Sequence, residues 1–339
     1  MTGNSIQSKL FSGENDAATD EIKTVRPVII SASRATDIPA FYSEWFFHRL
    51  SGGWCIKFNP YSDRPLRVDF RDVRFVVFWT KNPSPIIDRL GILEEKGIGY
   101  YFQYTLNDYV KEGLEKNVPS LDMRIEAFKR LSETAGKERV IWRFDPLILS
   151  GSVCIDTLLS RIEAIGEEIH EYTEKFVFSF IDLYKSVKKN LERAGYCGIR
   201  EFTVDEMEEF ASGLQRMVTR WGISAATCSE SADLSGYGIS KNRCIDPGLI
   251  ARISRDDPVL LRYLGKNSDK DPGQRPLCGC IKSTDIGQYN TCAHLCSYCY
   301  ANRYPAQALN NYINHRNRNP SGLTISGDKI GGIWDLEDE

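Results

Sequence analysis

Short β-branched and aromatic runs alternate with helical patterns along this chain, and that alternation most limits what it can fold into. The runs span 27–31, 55–58, 74–79, 100–105, 140–144, 176–180 and 223–227, and amphipathic patterns follow most of them at 39–50, 85–96, 120–135, 155–172 and 203–221. The last helical pattern opens on Thr203 and Glu206, spaced as a capping box whose hydroxyl and carboxylate satisfy free first-turn amides. Strands that alternate with helices imply a parallel sheet, because parallel neighbours need crossover connections. The expected fold class is therefore α/β, a full or partial TIM-like (β/α) barrel, with a doubly wound open sheet as the alternative. A chain of 339 residues is long enough to bury such a core without staples.

Composition excludes several classes. With 42% hydrophobic and 26% charged residues, neither a disordered chain nor a fibrous repeat is expected. No stretch approaches the ~20 apolar residues of a membrane span, and the N-terminal segment has no apolar signal core, so a cytoplasmic protein with no membrane partner is expected. A net charge of −3 argues against a broad nucleic-acid-binding face. Residues 1–24 read as a flexible tail, 25–315 as one α/β barrel-like domain that includes a cysteine-rich segment at 228–303, and 316–339 as a polar tail.

In parallel α/β folds the chemistry gathers where strands end. The expected strands end on Ser33, Arg34 and Asp37, on Lys57 and Asn59, on Lys81, on Gln103, on Arg143 and Asp145, on Ser179, and on Glu230. Arg143, Asp145, Lys81, Gln103 and Arg34 are the candidate catalytic residues. Arg143 leads them because a guanidinium fork grips a carboxylate or phosphate at two points. Each has a plainer reading: Asp37 as a helix cap before Pro39, Arg143 with Asp145 as a structural ion pair, and Lys57 and Lys81 as solvated charges. His48, His170 and His315 stand apart and read as structural or surface groups.

Seven of the ten cysteines fall between Cys228 and Cys299. With no secretory context, they read as reduced thiols or metal ligands rather than disulfides. Cys292, Cys296 and Cys299, at spacings of three and two, can curl around one centre, and soft thiolates select zinc, Cu(I) or an iron–sulfur cluster. His294 is a candidate fourth ligand, although a residue between two ligands in so short a loop tends to point away and leave one position open. Cys228, Cys244, Cys278 and Cys280 number enough for a second 4Fe-4S cluster or a zinc site; the plainer reading makes Cys228 and Cys244 small buried hydrophobes.

The Cys-x3-Cys-x2-Cys stretch with Tyr298 before its last cysteine resembles the radical S-adenosylmethionine signature, and Cys299-Tyr300-Ala301-Asn302 is similar to spore photoproduct lyase-like members. That resemblance implies a C-terminal cluster-binding segment in which Cys292, Cys296 and Cys299 hold a 4Fe-4S cluster. S-adenosylmethionine would occupy the open iron near Tyr298, and a 5′-deoxyadenosyl radical would act on an unidentified substrate. A one-electron donor such as flavodoxin or ferredoxin would be the partner. From about 26 to 303 the chain also resembles the family known as domain of unknown function 1848, at Ile29–Pro39, Phe78–Pro83, Trp142–Pro146 and Cys278–Asn302. Two features depart from the radical pattern: its cysteines usually follow the first strand, whereas these lie near the C-terminus, and no Gly-Gly-Glu segment is present.

A competing reading is a zinc-stabilised nucleic-acid-binding or interaction protein, with Lys185, Lys188, Lys189 and Arg193 meeting phosphate. A hydrolase is the third, unsupported by any Gly-x-Ser-x-Gly or His-Glu-x-x-His motif. The substrate, small molecule or nucleic acid, is undecided.

Overall fold

The computed structural model describes residues 22–60, 62–318 and 320–326. In chain order the strands are β1 (Thr24–Val25), β2 (Ile29–Ala32), β3 (Trp54–Phe58), β4 (Pro65–Asp69), β5 (Phe75–Thr80), β6 (Gly99–Thr105), β7 (Val140–Leu147), β8 (Lys175–Phe180), β9 (Ser224–Thr227), β10 (Ile239–Lys241) and β11 (Thr284–Asp285). The helices are α1 (Ile38–Phe41), α2 (Ser43–Gly52), α3 (Ser84–Ile87), α4 (Gly91–Glu95), α5 (Leu121–Ala135), α6 (Ile155–Ile169), α7 (Lys185–Arg193), α8 (Val204–Trp221), α9 (Pro247–Ile253), α10 (Pro258–Lys266) and α11 (Pro305–Arg318).

Eight strands form one parallel sheet in the order β10-β9-β8-β7-β6-β5-β2-β11. Spatial order thus follows chain order, except that β11, the last strand, stands beside β2, the first of this sheet. Among the described residues no ladder joins the edge strands β10 and β11. One backbone hydrogen bond, Ile281 N to Ile245 O at 3.2 Å, links the chain before β11 to the chain after β10.

Both faces of the sheet are covered, which is why its strands read as continuous apolar runs rather than alternating ones. Phe78, Phe102, Trp142, Phe144, Phe176 and Phe178 pack against the helices on one face. Ile29, Phe75, Val77, Tyr101, Ile141, Val177 and Ala226 form a separate cluster on the other face, joined by Ile250 of α9 and Leu260 and Leu264 of α10. Local signals start these helices: Thr203 and Glu206 make the expected reciprocal capping box on α8, and Asp246 and Asp257 cap α9 and α10, each followed by proline in the first turn.

Several expectations need correction. The run at 55–58 is not in the parallel sheet; it forms β3, antiparallel to β4 in a separate three-stranded sheet. The pattern at 39–50 breaks into α1 and α2 at Tyr42, and 85–96 breaks into α3 and α4. The two edge strands escaped notice because three and two residues are too few to show a period. The polar C-terminal tail begins later than expected, since Leu323, Thr324, Ile325 and Ser326 are buried and Leu323 O accepts from Ile56 N at 2.9 Å. Likewise Thr24, placed in the N-terminal tail, belongs to β1. The remainder of both expected tails, 1–21 and 327–339, lies outside the described residues. Among the described residues no helix is long and apolar enough to cross a membrane.

Candidate active site at the strand ends

Side chains two apart on a strand share a face, so the apolar layer of Val77, Tyr101, Ile141 and Val177 is followed toward the carboxyl ends by Trp79, Gln103, Arg143 and Ser179. Arg143, 3% exposed, is the hub of this polar layer. Its Nε donates to Asp145 Oδ2 at 3.1 Å and its Nη2 donates to the same oxygen. Its Nη1 donates to Gln103 Oε1 at 3.0 Å and to Cys244 Sγ at 3.2 Å. The Gln103 amide donates in turn to Cys244 O at 3.1 Å, and Ser179 Oγ donates to the second Asp145 oxygen. Burial pushes the Asp145 carboxyl up, but Arg143 and Ser179 outweigh it and hold the group below the usual carboxylate range.

A second polar layer lies above. Lys81 Nζ donates to Glu115 Oε1 at 2.7 Å, Tyr298 OH donates to the same oxygen, and the ammonium sits 5.7 Å from the Tyr298 ring centre. Arg124 Nη1 lies 3.7 Å from the other Glu115 oxygen. Burial raises the Glu115 carboxyl, yet Lys81 and Arg124 prevail and leave it lowered. Asn107 joins the layers: its amide donates to Tyr298 OH and to Asp145 O, each at 3.2 Å, and its carbonyl accepts from Asp145 N at 3.0 Å. One side chain therefore connects the cysteine loop to the Arg143–Asp145 pair.

The loop itself is held by backbone contacts. Tyr42 OH donates to Thr291 O at 2.6 Å, Asn117 Nδ2 to Ala293 O at 2.9 Å, Asn302 Nδ2 to Cys292 O at 2.7 Å and Tyr300 OH to Arg34 O at 2.7 Å. Asn190 of α7 donates to Cys299 O and Asn302 O. That helix thus uses its inner face to secure the loop while Lys185, Lys188, Lys189 and Arg193 remain exposed. Cys296 is buried, and Cys292 and Cys299 are half-buried. Burial pushes all three thiols up, opposed by Lys81 at Cys296 and Cys299.

His294 is unavailable as a fourth ligand. Its Nε2 pairs with Asp37 Oδ2 at 2.8 Å and its Nδ1 with Asn117 O at 3.2 Å. Asp37 is a helix cap, accepting from Ala40 N at 3.0 Å, and it also holds Lys81 N at 2.7 Å. Of the other histidines, His48 is exposed, His170 caps back to Gly166 O, and His315 is buried against Tyr42, where burial lowers it to about 4.

Among the described residues Arg34 makes no hydrogen bond to the Arg143 network; it stacks 5.1 Å over Trp79, and its backbone N donates to Asp285 Oδ2 at 2.7 Å. Lys57, although in the small sheet, donates to Asp285 O at 2.6 Å. Buried polar atoms here without a hydrogen-bond partner include Arg34 Nη2, Glu115 Oε2, Arg124 Nη2 and Asn302 Oδ1. Glu115, Asn107 and Asp285 went unnoticed in the sequence because they lie outside any motif. Glu230 at the β9 end accepts from Phe180 N at 3.0 Å, and burial pushes it up to about 7. Of the other four cysteines in the segment, Cys228 and Cys244 meet, with Cys228 Sγ 3.4 Å from Cys244 Sγ. Among the described residues no group of three or more His, Cys, Asp or Glu side chains is arranged to hold a metal ion as the chain stands.

Gly287 sets the approach of the loop to the sheet. A Cβ there would lie 1.9 Å from Ser33 Oγ and 2.5 Å from Ser33 Cβ, so Gly287→Ala must displace one segment. We expect a loss of about 1–3 kcal/mol, the range for overpacking, measured by urea unfolding.

A search of curated proteins returns no match. Among solved structures the chain is similar to a proposed alpha-L-fucosidase from Bacteroides thetaiotaomicron VPI-5482, at 12% identity and a TM-score of 0.28, over 77% of this chain and 98% of that one. A likeness at that level carries no argument about this chain. The family model does: it matches residues 29–301, and the chain belongs to the family described as domain of unknown function (DUF1848).

Proposed function

We propose that this chain is an iron–sulfur enzyme of the radical S-adenosylmethionine type, in which Cys292, Cys296 and Cys299 hold a 4Fe-4S cluster at the mouth of a partial (β/α) barrel. The observation that carries this reading is the position of the cysteine loop. It follows β11, and β11 lies at the edge of the parallel sheet beside β2, with the other strands following in chain order. A motif that comes late in the chain therefore follows the first strand in space, as a circular permutation of the family pattern would have it.

The donor set suits the group. Three thiols share one short loop, and the one nearby imidazole is engaged through both ring nitrogens, which leaves a three-thiolate set rather than a closed Cys3His zinc site. When bound, a reduced cluster would supply one electron to cleave the sulfonium of S-adenosylmethionine. The rest is the work of this chain. Asn302 Oδ1 offers a buried acceptor without a hydrogen bond for an ammonium or hydroxyl, Glu115 Oε2 offers another that has only the Arg124 ion pair, and Arg34 Nη2 offers a donor for a carboxylate or phosphate. Arg143 and Asp145 present a fixed charged pair below the loop, and Lys81 sets the charge beside Cys296 and Cys299.

Anaerobic reconstitution with iron and sulfide tests the reading. Bound iron and sulfide, followed by release of 5′-deoxyadenosine when dithionite and S-adenosylmethionine are added, is the expected outcome. Absence of bound iron after reconstitution rejects the cluster, and bound iron without 5′-deoxyadenosine rejects the radical type.

A further inference from the structure

We propose that Cys228, Cys244, Cys278 and Cys280 form a second metal site, a tetrathiolate zinc centre that ties together the two edges of the parallel sheet. The four residues come from opposite sides of one seam. Cys228 follows β9 and Cys244 follows β10, whereas Cys278 and Cys280 precede β11. Across this seam the described residues show no strand ladder, only the Ile281–Ile245 backbone bond and Ile245 N donating to Cys280 Sγ at 3.3 Å. A metal ion would supply the cross-link that the missing ladder does not.

Two of the thiols already lie in contact, Cys228 Sγ being 3.4 Å from Cys244 Sγ, and a third is close by, since the backbone N of Ile245, the residue after Cys244, donates to Cys280 Sγ at 3.3 Å. Two of the sulfurs are surrounded as a bound thiolate, an acceptor only, would be: Arg143 Nη1 and Asn242 Nδ2 both point at Cys244 Sγ, at 3.2 and 3.3 Å, and Ile245 N points at Cys280 Sγ. Zinc with four thiolates carries a net charge of −2, and two guanidiniums, Arg143 and Arg34, face these sulfurs and offset it.

Spacing selects one ion over a second cluster. Four thiolates ~2.3 Å from a tetrahedral ion stand ~3.8 Å from one another, whereas the thiolates of a cubane bind different irons and stand farther apart. The Cys228–Cys244 separation fits the first case. As the chain stands the four do not yet converge on one point, so the ion would draw the Cys228–Cys244 and Cys278–Cys280 pairs together. The half-buried Cys278 offers the way in.

The test uses the full chain with Cys292, Cys296 and Cys299 replaced by alanine, so that metal bound at that loop is not counted. Elemental analysis should find one zinc per chain, and cobalt substitution should give the visible bands of a tetrahedral thiolate site. Adding Cys228→Ser and Cys280→Ser should abolish both, while Cys154→Ser, at an exposed position elsewhere, should leave them unchanged. In the unaltered chain, zinc should be released to a colorimetric chelator as a mercurial titrates the thiols, a readout that does not depend on any variant folding. A metal-free chain, a Cys228–Cys244 disulfide, or iron with sulfide at these four residues would overturn the proposal. Failure of the radical reading leaves the zinc expectation intact, because different residues carry it.

Discussion

If the chain holds the proposed cluster, replacing Cys292, Cys296 and Cys299 together by alanine is expected to abolish iron binding on reconstitution, the visible charge-transfer absorption and all release of 5′-deoxyadenosine. The effect is expected to be complete because no other ligand stands ready at the loop, His294 being committed to Asp37 and Asn117. The fold should survive. The loop is held by Tyr42, Asn117, Asn190 and Asn302 through backbone carbonyls, and none of those bonds uses a thiol. Iron and sulfide content, the visible spectrum and chromatographic assay of the nucleoside check the three outcomes. Iron retained at its original level in the triple variant would place the cluster elsewhere.

Arg143→Ala carries the second-largest expectation. Removing one member of a buried pair leaves the other uncompensated, which typically costs 3–5 kcal/mol. Here Asp145 would keep only Ser179, Gln103 Oε1 would lose its donor, and Cys244 would lose a charged partner. The pH dependence should weaken as well. In the unaltered chain the Asp145 carboxyl is held below its unfolded value, so its stabilisation is full above the unfolded carboxylate range and disappears as pH falls through the folded value. Without the guanidinium the main opposition to burial is gone, and only Ser179 and Lys81 still favour the carboxylate. The variant should therefore lose less stability than the unaltered chain as pH falls through the carboxylate range. Urea unfolding of both proteins from neutral pH to about pH 4 measures this. Equal slopes would show that Asp145 does not depend on Arg143. The cluster loop makes no direct bond to Arg143, so iron content should hold while turnover falls.

The sequence by itself determined what is local. Apolar runs of five or six residues announced β5, β6, β7 and β8 because a strand covered on both faces must be apolar throughout. Thr203 and Glu206 announced the start of α8 because a capping box lies within one turn. The spacing of Cys292, Cys296 and Cys299 announced a ligand loop because those thiols need only a few residues of chain to meet. The order of the strands added Gln103, Arg143 and Asp145, whose parity alone puts them on one face near the strand ends.

Tertiary structure decided the rest. β11 has two residues and no pattern of its own; its place beside β2 depends on the whole sheet, yet it sets where the cysteine loop lies. Glu115 and Asn107, in the connection after β6, become site residues only when Lys81 and Tyr298 arrive from 34 and 183 residues away to meet Glu115. Lys57 reaches Asp285 from a different sheet. Cys228 meets Cys244, and Ile245 meets Cys280, because chain following β9 and β10 and chain preceding β11 border one seam, contacts that no spacing rule encodes. Local periodicity reports which face of an element is buried, and it does not report which distant element covers that face; packing of the assembled sheet makes that choice.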